Sequence, residues 1–290
     1  MNKIVIVEEK IIEKSDKNDI INDTQNETKD RFALALGGGS ALGLSHIGVI
    51  KYLEEKGIKI KEISGTSMGA IIASFYAFGK DSDFMIDFAK SINFLKLVDF
   101  DLQSGVLKGD KIYDKLSEVF GETNIEELDI NLKIVATNIE NGEKKVFQEG
   151  KIVDAIRSSI SLPGIFKPYN IGGDTYIDGG IISNLPVDVL DGNEVIAVSV
   201  IKDVKSKLVT KRHILGFDIP VGFFNLNYQV LQRSFLLMMK TNEQISVNTE
   251  GKNVTLIKPD LGDMDFLSFN RLDELVENGY NEAVLVLGKK

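Results

Sequence analysis

The chain has 290 residues, 43% of them hydrophobic, which is enough to bury the core of one large α/β domain. Its formal net charge of −9 argues against a nonspecific grip on nucleic acid. The absence of cysteine excludes disulfides, thiolate metal ligands and a cysteine nucleophile, and two histidines leave little for a histidine metal site. No stretch approaches the roughly 20 apolar residues of a membrane-spanning helix, and the apolar run Ile4 to Val7 is too short for a signal peptide. We expect a cytoplasmic protein, either free or peripheral at a membrane, without a transmembrane segment.

The first 30 residues differ in composition from the rest. Residues 8–30 are rich in Lys, Glu, Asp and Asn and contain no aromatic side chain, so they can bury little surface. We predict that residues 1–30 form a polar, mobile lead. The alternative is that Ile4 to Val7 add an edge strand and the remainder is an ordered connection. Residues 31–290 are predicted to form a single domain.

From residue 31 onward, short apolar strands alternate with helices. FALALGGG is predicted as a buried strand entering a glycine cluster, the stretch ending at Gly57 as a helix, and IKIKEISG as the next strand. Two helices follow, one from Met68 to about Phe78 and one behind the capping residue Asp81. Further strands are predicted at 132–139, 144–150, 174–180 and 194–200. This alternation favours a mainly parallel sheet with helices on both faces.

The pentapeptide GTSMG places Gly65 and Gly69 two residues before and two residues after Ser67, where a predicted strand meets a predicted helix. A nucleophile elbow needs this arrangement, because the turn is so sharp that side chains at the two flanking positions would collide. The serine itself adopts a strained backbone that projects its hydroxyl out of the sheet. We therefore interpret Ser67 as a nucleophile, with an ordinary structural turn as the alternative.

The glycine cluster Gly37, Gly38 and Gly39, followed by Ser40, ends the preceding strand. Neighbouring parallel strands open their loops at the same edge of a sheet, so backbone N–H groups of this cluster could point into the space above Ser67. Such donors stabilise the negative oxygen that forms when an acyl carbonyl is attacked. Neither the Gly-Lys-Ser/Thr ending of a phosphate loop nor GxGxxG spacing is present. We predict an oxyanion hole.

A serine nucleophile needs a base, and three side chains are candidates. His46 lies among apolar residues of the first helix and is expected to be packed in that helix. His213 follows a charged stretch and is expected on the surface in a polar loop. Asp178 ends a predicted strand before two glycines, so it is either a base with a pKa raised by desolvation or simply a turn residue.

Five motifs in this order resemble the patatin-like phospholipase family: LALGGG with GLSHIGV, GTSMGA, RSSISLPGIFKP, YIDGGIISNLPV and IKPDLG. The resemblance covers residues 31 to about 280. It implies a three-layer α/β/α fold with a Ser-Asp dyad, in which Ser67 matches the family nucleophile and Asp178 the family base. It also implies hydrolysis of acyl esters of phospholipids or neutral lipids at a membrane or micelle surface, without a metal or organic cofactor.

The chain departs from the family pattern in the glycine loop. Relatives usually have GGGxRG or GGGxKG there, whereas this chain has Ser40 in place of a glycine and Leu42 in place of the basic residue. Two other functions stay open. One is an acyltransferase, because such enzymes share the arrangement of strand, nucleophile elbow and helix. The other, which the departures at Ser40 and Leu42 support, is a catalytically weak module that binds lipid or protein.

Two apolar stretches near the C-terminal third bear on lipid access. Residues 213–231 combine large apolar side chains with glycine and proline, and are interpreted as a packed loop and helix entry, with an interfacial lip as the alternative. The stretch that follows has helical periodicity, and we expect it to pack against the core rather than to face a membrane.

Overall fold

The structure is a computed structural model that describes residues 32–92, 107–202, 211–214, 217–220 and 223–288. The predicted polar lead lies outside these residues. The strands are β1 (Phe32–Leu36), β2 (Ile60–Thr66), β3 (Asn131–Asn138), β4 (Lys144–Phe147), β5 (Tyr169–Ile171), β6 (Asp174–Asp178), β7 (Glu194–Val198), β8 (Lys211–Ile214), β9 (Phe217–Pro220) and β10 (Asn253–Ile257). The helices are α1 (Ser45–Glu55), α2 (Met68–Ala77), α3 (Ser82–Ser91), α4 (Asp110–Phe120), α5 (Ile152–Ser159), α6 (Phe223–Val247) and α7 (Leu272–Leu287).

Eight strands form one mixed sheet with the order β10-β7-β1-β2-β3-β6-β5, and β4 also pairs with β3. The pairs from β10 through β3 are parallel, whereas β4, β5 and β6 pair antiparallel with their neighbours. The prediction of a mainly parallel α/β sheet is confirmed. The strands β8 and β9 form a separate antiparallel hairpin, so the prediction that His213 lies in a polar loop is wrong for its backbone.

Side chains on both faces of the sheet are buried. Along β1, Leu34 and Leu36 belong to one apolar cluster, while Ala33 and Ala35 belong to a second one. This alternation follows from the two-residue period of a strand, and it requires a layer of packed elements on each face. The helices and the sheet therefore form the three-layer arrangement that the sequence predicts.

Local signals fix several helix ends. The Asp81 side chain accepts a hydrogen bond from the N–H of Phe84 at 2.8 Å and so caps α3, as predicted. Gly57 and Gly79 follow α1 and α2 with φ values of 63° and 77°, which is the left-handed conformation that glycine adopts most readily. The predicted first helix begins with a 3-10 segment, Ser40–Leu44, before α1.

The register of the sheet assembles the functional edge. Leu36 at the end of β1 pairs with Gly65 near the end of β2, so the glycine loop and the Ser67 turn leave the sheet side by side. On the other side of β2, β3 pairs with β6, and Ala136 lies opposite Asp178. Three loops separated in sequence therefore converge at one edge. Among the described residues, no helix is both long and apolar enough to cross a membrane.

Candidate active site

Ser67 occupies a strained turn between β2 and α2. Its φ of 55° and ψ of −122° lie outside the regions that non-glycine residues favour, which costs of order 1 to 3 kcal/mol. Its N–H donates to Ser159 Oγ at 2.8 Å, and that hydroxyl in turn donates to the Val135 carbonyl at 2.7 Å. The turn is therefore held from β3 and α5, through a serine of the RSSIS motif.

Glycine is required on both sides of this turn. A Cβ atom on Gly65 would lie 2.4 Å from the Gly69 carbonyl oxygen, and a Cβ on Gly69 would lie 2.2 Å from the Leu36 carbonyl oxygen. Both distances are far below van der Waals contact, and the obstructing atoms are backbone that cannot rotate away. The structure therefore contains the collisions that the prediction of a nucleophile elbow requires.

Asp178 ends β6 and is 1% exposed. Its Oδ1 accepts a hydrogen bond from the Gly180 N–H at 2.8 Å, while Oδ2 has no hydrogen-bond partner among the described residues. Burial raises the pKa of Asp178 to about 6, although the Gly180 N–H and the Ser67 hydroxyl oppose the shift. The carboxyl is thus close to Ser67 and has a free oxygen to receive a proton.

The backbone of Asp178 is fixed from two directions. Its N–H donates to the Ser161 carbonyl at 3.0 Å, and its carbonyl accepts from Thr137 Oγ1 at 3.1 Å. Gly179 follows it so closely along β3 that a Cβ there would lie 2.2 Å from the Val135 carbonyl oxygen. The glycine after the aspartate is therefore needed to bring the carboxyl to the sheet edge.

The glycine loop divides into two halves. The N–H groups of Gly37 and Gly38 donate to the carbonyls of Val198 and Asn184 at 3.0 and 3.2 Å. These two predicted oxyanion donors are therefore already engaged, and the prediction is corrected for them. Gly39 and Ser40 line the cavity beside Ser67, and the structure records no backbone acceptor for their N–H groups among the described residues.

The two departures from the family pattern have different surroundings. Ser40 has a φ of 50°, a conformation that a glycine would adopt without strain, and its hydroxyl donates to the Phe266 carbonyl at 2.8 Å. Leu42 is 2% exposed and packs in the larger apolar cluster. The loop is thus attached to the segment before α7 on one side and to the core on the other.

Three side chains that sequence reasoning did not place in the site hold the glycine loop. His46 is fully buried, and its Nε2–H donates to the Gly37 carbonyl at 2.7 Å. Burial lowers the pKa of His46 to about 4, so the ring is neutral at physiological pH. Asn184 Nδ2 donates both to the Gly38 carbonyl, at 3.1 Å, and to Glu243 Oε1, at 2.8 Å.

The predicted packing of His46 in α1 agrees with its burial, and its ring contacts the loop rather than Ser67. The side chain of His213 lies outside what the structure describes. Asn184 stands in the YIDGGIISNLPV motif, so that motif was a usable signal for it. Glu243 follows Asn184 by 59 residues and carries no local signal, because it is a single acid in a largely apolar helix.

Ser67 and Asp178 open into one cavity of about 870 Å³. Its wall is mostly apolar and combines side chains of α1, α2, α3, α4 and α6 with loop residues. Representative lining residues are Ile71, Phe75, Met85, Leu116, Ile165 and Phe235. No group of three or more His, Asp or Glu side chains in the described part of the chain is arranged to hold a metal ion. The site is therefore a serine and a buried carboxyl at the polar end of an apolar pocket.

A sequence model of patatin-like phospholipases matches residues 34–191, which include the glycine loop, Ser67 and Asp178. The chain belongs to the patatin-like phospholipase family. An uncharacterized NTE family protein of Mycobacterium tuberculosis is 38% identical over 172 residues, covering 58% of this chain and 48% of that protein. A second one from the same species is 30% identical over 266 residues, covering 85% of this chain and 44% of that protein.

The lysophospholipase NTE1 of Debaryomyces hansenii is 28% identical over 285 residues, covering 91% of this chain and 18% of the relative. The chain thus spans less than half the length of these three relatives. Among solved structures, VipD from Legionella pneumophila matches with a TM-score of 0.56 and 16% identity, covering 90% of this chain and 67% of VipD. That likeness supports the patatin-like fold.

Proposed function

We propose that this patatin-like protein is a serine acyl hydrolase that cleaves acyl esters of phospholipids or related lipids through Ser67 and Asp178. The observation that carries the proposal is the meeting of a strained serine and a fully buried carboxyl at the polar end of a large apolar cavity. Strain at a non-glycine residue and a raised carboxyl pKa are both features that concentrate at catalytic sites. The proposal assigns this activity to residues 31–290.

The first half of the reaction forms an acyl-serine. Ser67 Oγ attacks the acyl carbonyl carbon while its proton passes to the unpartnered Oδ2 of Asp178. The carbonyl oxygen becomes negative and is stabilised by the N–H groups of Gly39 and Ser40 and by the N-terminus of α2. When the tetrahedral intermediate collapses, the ester C–O bond breaks and the alcohol leaves with the proton from Asp178.

The second half returns the enzyme to its starting state. Asp178 removes a proton from a water molecule, the resulting hydroxide adds to the acyl-serine, and the acid leaves as Ser67 recovers its proton. All of these steps use side chains, backbone N–H groups and water. The carboxyl must be ionised at the start of each half, so the raised pKa of Asp178 makes it a stronger base without preventing ionisation at neutral pH.

The cavity and the relatives together suggest the substrates. An apolar pocket of about 870 Å³ has room for a long acyl chain, whose burial stabilises the complex by about 0.8 kcal/mol for each methylene group. The fungal relatives bear the name lysophospholipase. Lysophospholipids with long acyl chains are therefore the first substrates that we propose.

The proposal is tested by measuring fatty acid release with mass spectrometry from a panel of phospholipids, lysophospholipids and glycerides. We expect Ser67→Ala to lose at least about 10³-fold in rate, and Asp178→Asn about 10²- to 10⁴-fold. Ser74→Ala is the matched control, because that buried hydroxyl donates to the Ala70 carbonyl in the same helix and is absent from the cavity wall.

Adding thiol and lysophospholipid acceptors to the same reactions reveals any acyl transfer. Undiminished release by folded Ser67→Ala would contradict the assignment of the nucleophile. Faster transfer to an acceptor than to water would replace the hydrolase by a transferase. No reaction with any lipid or acceptor would favour a binding module.

A further inference from the structure

The long helix α6 carries apolar side chains on the face that points away from the protein. Five of them are exposed: Val230 by 45%, Leu231 by 45%, Leu237 by 51%, Met238 by 37% and Ile245 by 69%. They recur at helical spacing on one side, and the stretch from the first to the last is about 22 Å long at 1.5 Å per residue. We refer to these five residues as the α6 stripe.

The exposed face of α6 around the stripe carries few charges. No exposed side chain that the structure describes between residues 230 and 245 belongs to Asp, Glu, Lys or Arg, although charged residues make up 27% of the chain. Two exposed hydroxyl residues on the same face of α6, Ser234 and Thr241, donate to the carbonyls of Val230 and Leu237 in the same helix. Their hydroxyl protons are therefore already bonded.

The opposite face of α6 is occupied by the active site, so the stripe cannot turn inward. Glu243 and Ser246 are buried, and Asn242 Nδ2 donates to the Ile181 carbonyl at 2.7 Å, just after Asp178. Met239 is 4% exposed and lines the cavity. The expectation that this helix packs its apolar residues into the core is thus wrong for the stripe, because the inward face is the one that bonds to the catalytic loops.

The stripe adjoins the entrance of the cavity. Leu231 lines the cavity wall and belongs to the stripe. Leu267, from the segment before α7, also lines the cavity and is 65% exposed. A side chain that is both part of the wall and open to solvent marks the rim, so apolar surface continues from the stripe into the pocket that holds Ser67.

We propose that the α6 stripe and Leu267 dock this protein on the surface of a phospholipid bilayer, with the cavity entrance against the membrane. The inference rests on the proposed lipid hydrolase function. A second copy of the chain seated on the stripe would cover the entrance beside Leu231 and Leu267, whereas a bilayer supplies the substrate there. The rim residues Leu231 and Leu267 belong to both the exposed apolar surface and the cavity wall, so a lipid leaving the bilayer there would enter the pocket without crossing water.

The experiment uses the full chain carrying Ser67→Ala, so that binding to vesicles is measured without hydrolysis of their lipids. Flotation with vesicles of equimolar phosphatidylglycerol and phosphatidylcholine measures the bound fraction. The test variant adds Leu237→Glu and Ile245→Glu, two stripe residues that do not line the cavity. The matched control adds Leu285→Glu, which changes an equally exposed leucine on α7. We expect each stripe substitution to lower vesicle partitioning about tenfold, and the control to leave it unchanged.

The same substitutions in the active enzyme separate docking from chemistry. We expect the double stripe variant to lose hydrolysis of vesicle lipids while it keeps hydrolysis of a soluble short-chain ester. Equal vesicle binding by the stripe variant and its parent would overturn the proposal. A parent that does not bind vesicles but forms a dimer that the substitutions dissociate would also overturn it, in favour of a second copy. Absence of all ester hydrolysis would instead contradict the proposed function. The vesicle-binding assay does not depend on turnover, so it would still test docking by the stripe.

Discussion

At the level of single residues, the Asp178 carboxyl is expected to determine how activity depends on pH. Its pKa of about 6 means that the carboxyl is ionised above this pH and protonated below it. We therefore predict that kcat/KM on a soluble ester falls about tenfold for each pH unit below roughly 6. A rate that stays level well below pH 6 would contradict the assignment of Asp178 as base.

Circular dichroism at each pH is the necessary control for that profile, because His46 adds an acid-sensitive contribution to stability. Its pKa is lowered from 6.5 to about 4, so its contribution is greatest above pH 6.5 and falls as the pH drops toward 4. A loss of rate counts as titration of the base only where the fold is intact.

The same carboxyl should reduce stability at neutral and alkaline pH. Folding raises the pKa of Asp178 from 3.8 to about 6. Its favourable contribution to the free energy of unfolding is therefore complete below pH 3.8 and disappears as the pH rises through 6. Above pH 6 the buried carboxylate costs about 3 kcal/mol relative to its state at low pH. We predict that Asp178→Asn is more stable than wild type near pH 8 and that this advantage shrinks near pH 5, as measured by urea denaturation. A variant less stable than wild type near pH 8 would contradict this account.

Ser40 offers a direct measurement of strain in the glycine loop. Ser40→Gly removes both the hydrogen bond to Phe266 and the cost of a φ of 50°, whereas Ser40→Ala removes only the hydrogen bond. We predict that the alanine variant is less stable than the glycine variant by about 1 kcal/mol in urea denaturation. Both keep the N–H group, so both should keep most of the activity. Equal stability of the two variants would show that the loop stores no strain there.

At the level of elements, α6 connects the outer surface of the protein to the glycine loop. Glu243 Oε1 accepts from Asn184, and Glu243 Oε2 accepts from Ser199 Oγ at 2.6 Å, while Asn184 holds the Gly38 carbonyl. Burial raises the pKa of Glu243, which the two hydrogen bonds oppose. The carboxyl thus contacts the loop through Asn184, and we expect it to position the loop.

We predict that Glu243→Ala lowers kcat on a soluble ester about tenfold with little change in KM, because the loop loses its orientation while the cavity is intact. Glu243→Gln should recover most of the rate, since it keeps an acceptor for Asn184. Gln244→Ala, on the exposed side of the helix, is the matched control. If Glu243→Ala lowered stability but left kcat unchanged, the contact would be structural only.

At the level of the whole molecule, the sequence predicts those positions at which the backbone geometry requires a particular residue. The elbow pattern predicts that Gly65 and Gly69 must be glycine because side chains there would collide with backbone, and parallel strands bring the loops after β1 and β2 to the same edge. The sequence also indicates Asp178, because it ends a strand before two glycines. These features depend on short motifs and on one rule of sheet topology.

What could not be predicted depends on contacts between distant elements. Hydrophobic periodicity shows that α6 has an apolar side but not which side meets the body of the protein, and here Glu243 and Asn242 face inward. Similarly, nothing local indicates that the N–H groups of Gly37 and Gly38 donate to carbonyls at the end of β7 and in the segment after β6. Only the folded structure therefore shows which N–H groups of the glycine loop are already hydrogen-bonded within the protein.

The most direct test of Ser67 as the nucleophile is to treat the wild-type protein with a fluorophosphonate and to locate the modified residue by mass spectrometry. We predict one adduct, on Ser67 Oγ, formed with loss of fluoride, together with loss of fatty acid release. We also expect no adduct on Ser67→Ala and slow labelling of Asp178→Asn. An adduct on another residue, or continued fatty acid release by protein fully labelled at Ser67, would contradict the claim that Ser67 is the nucleophile.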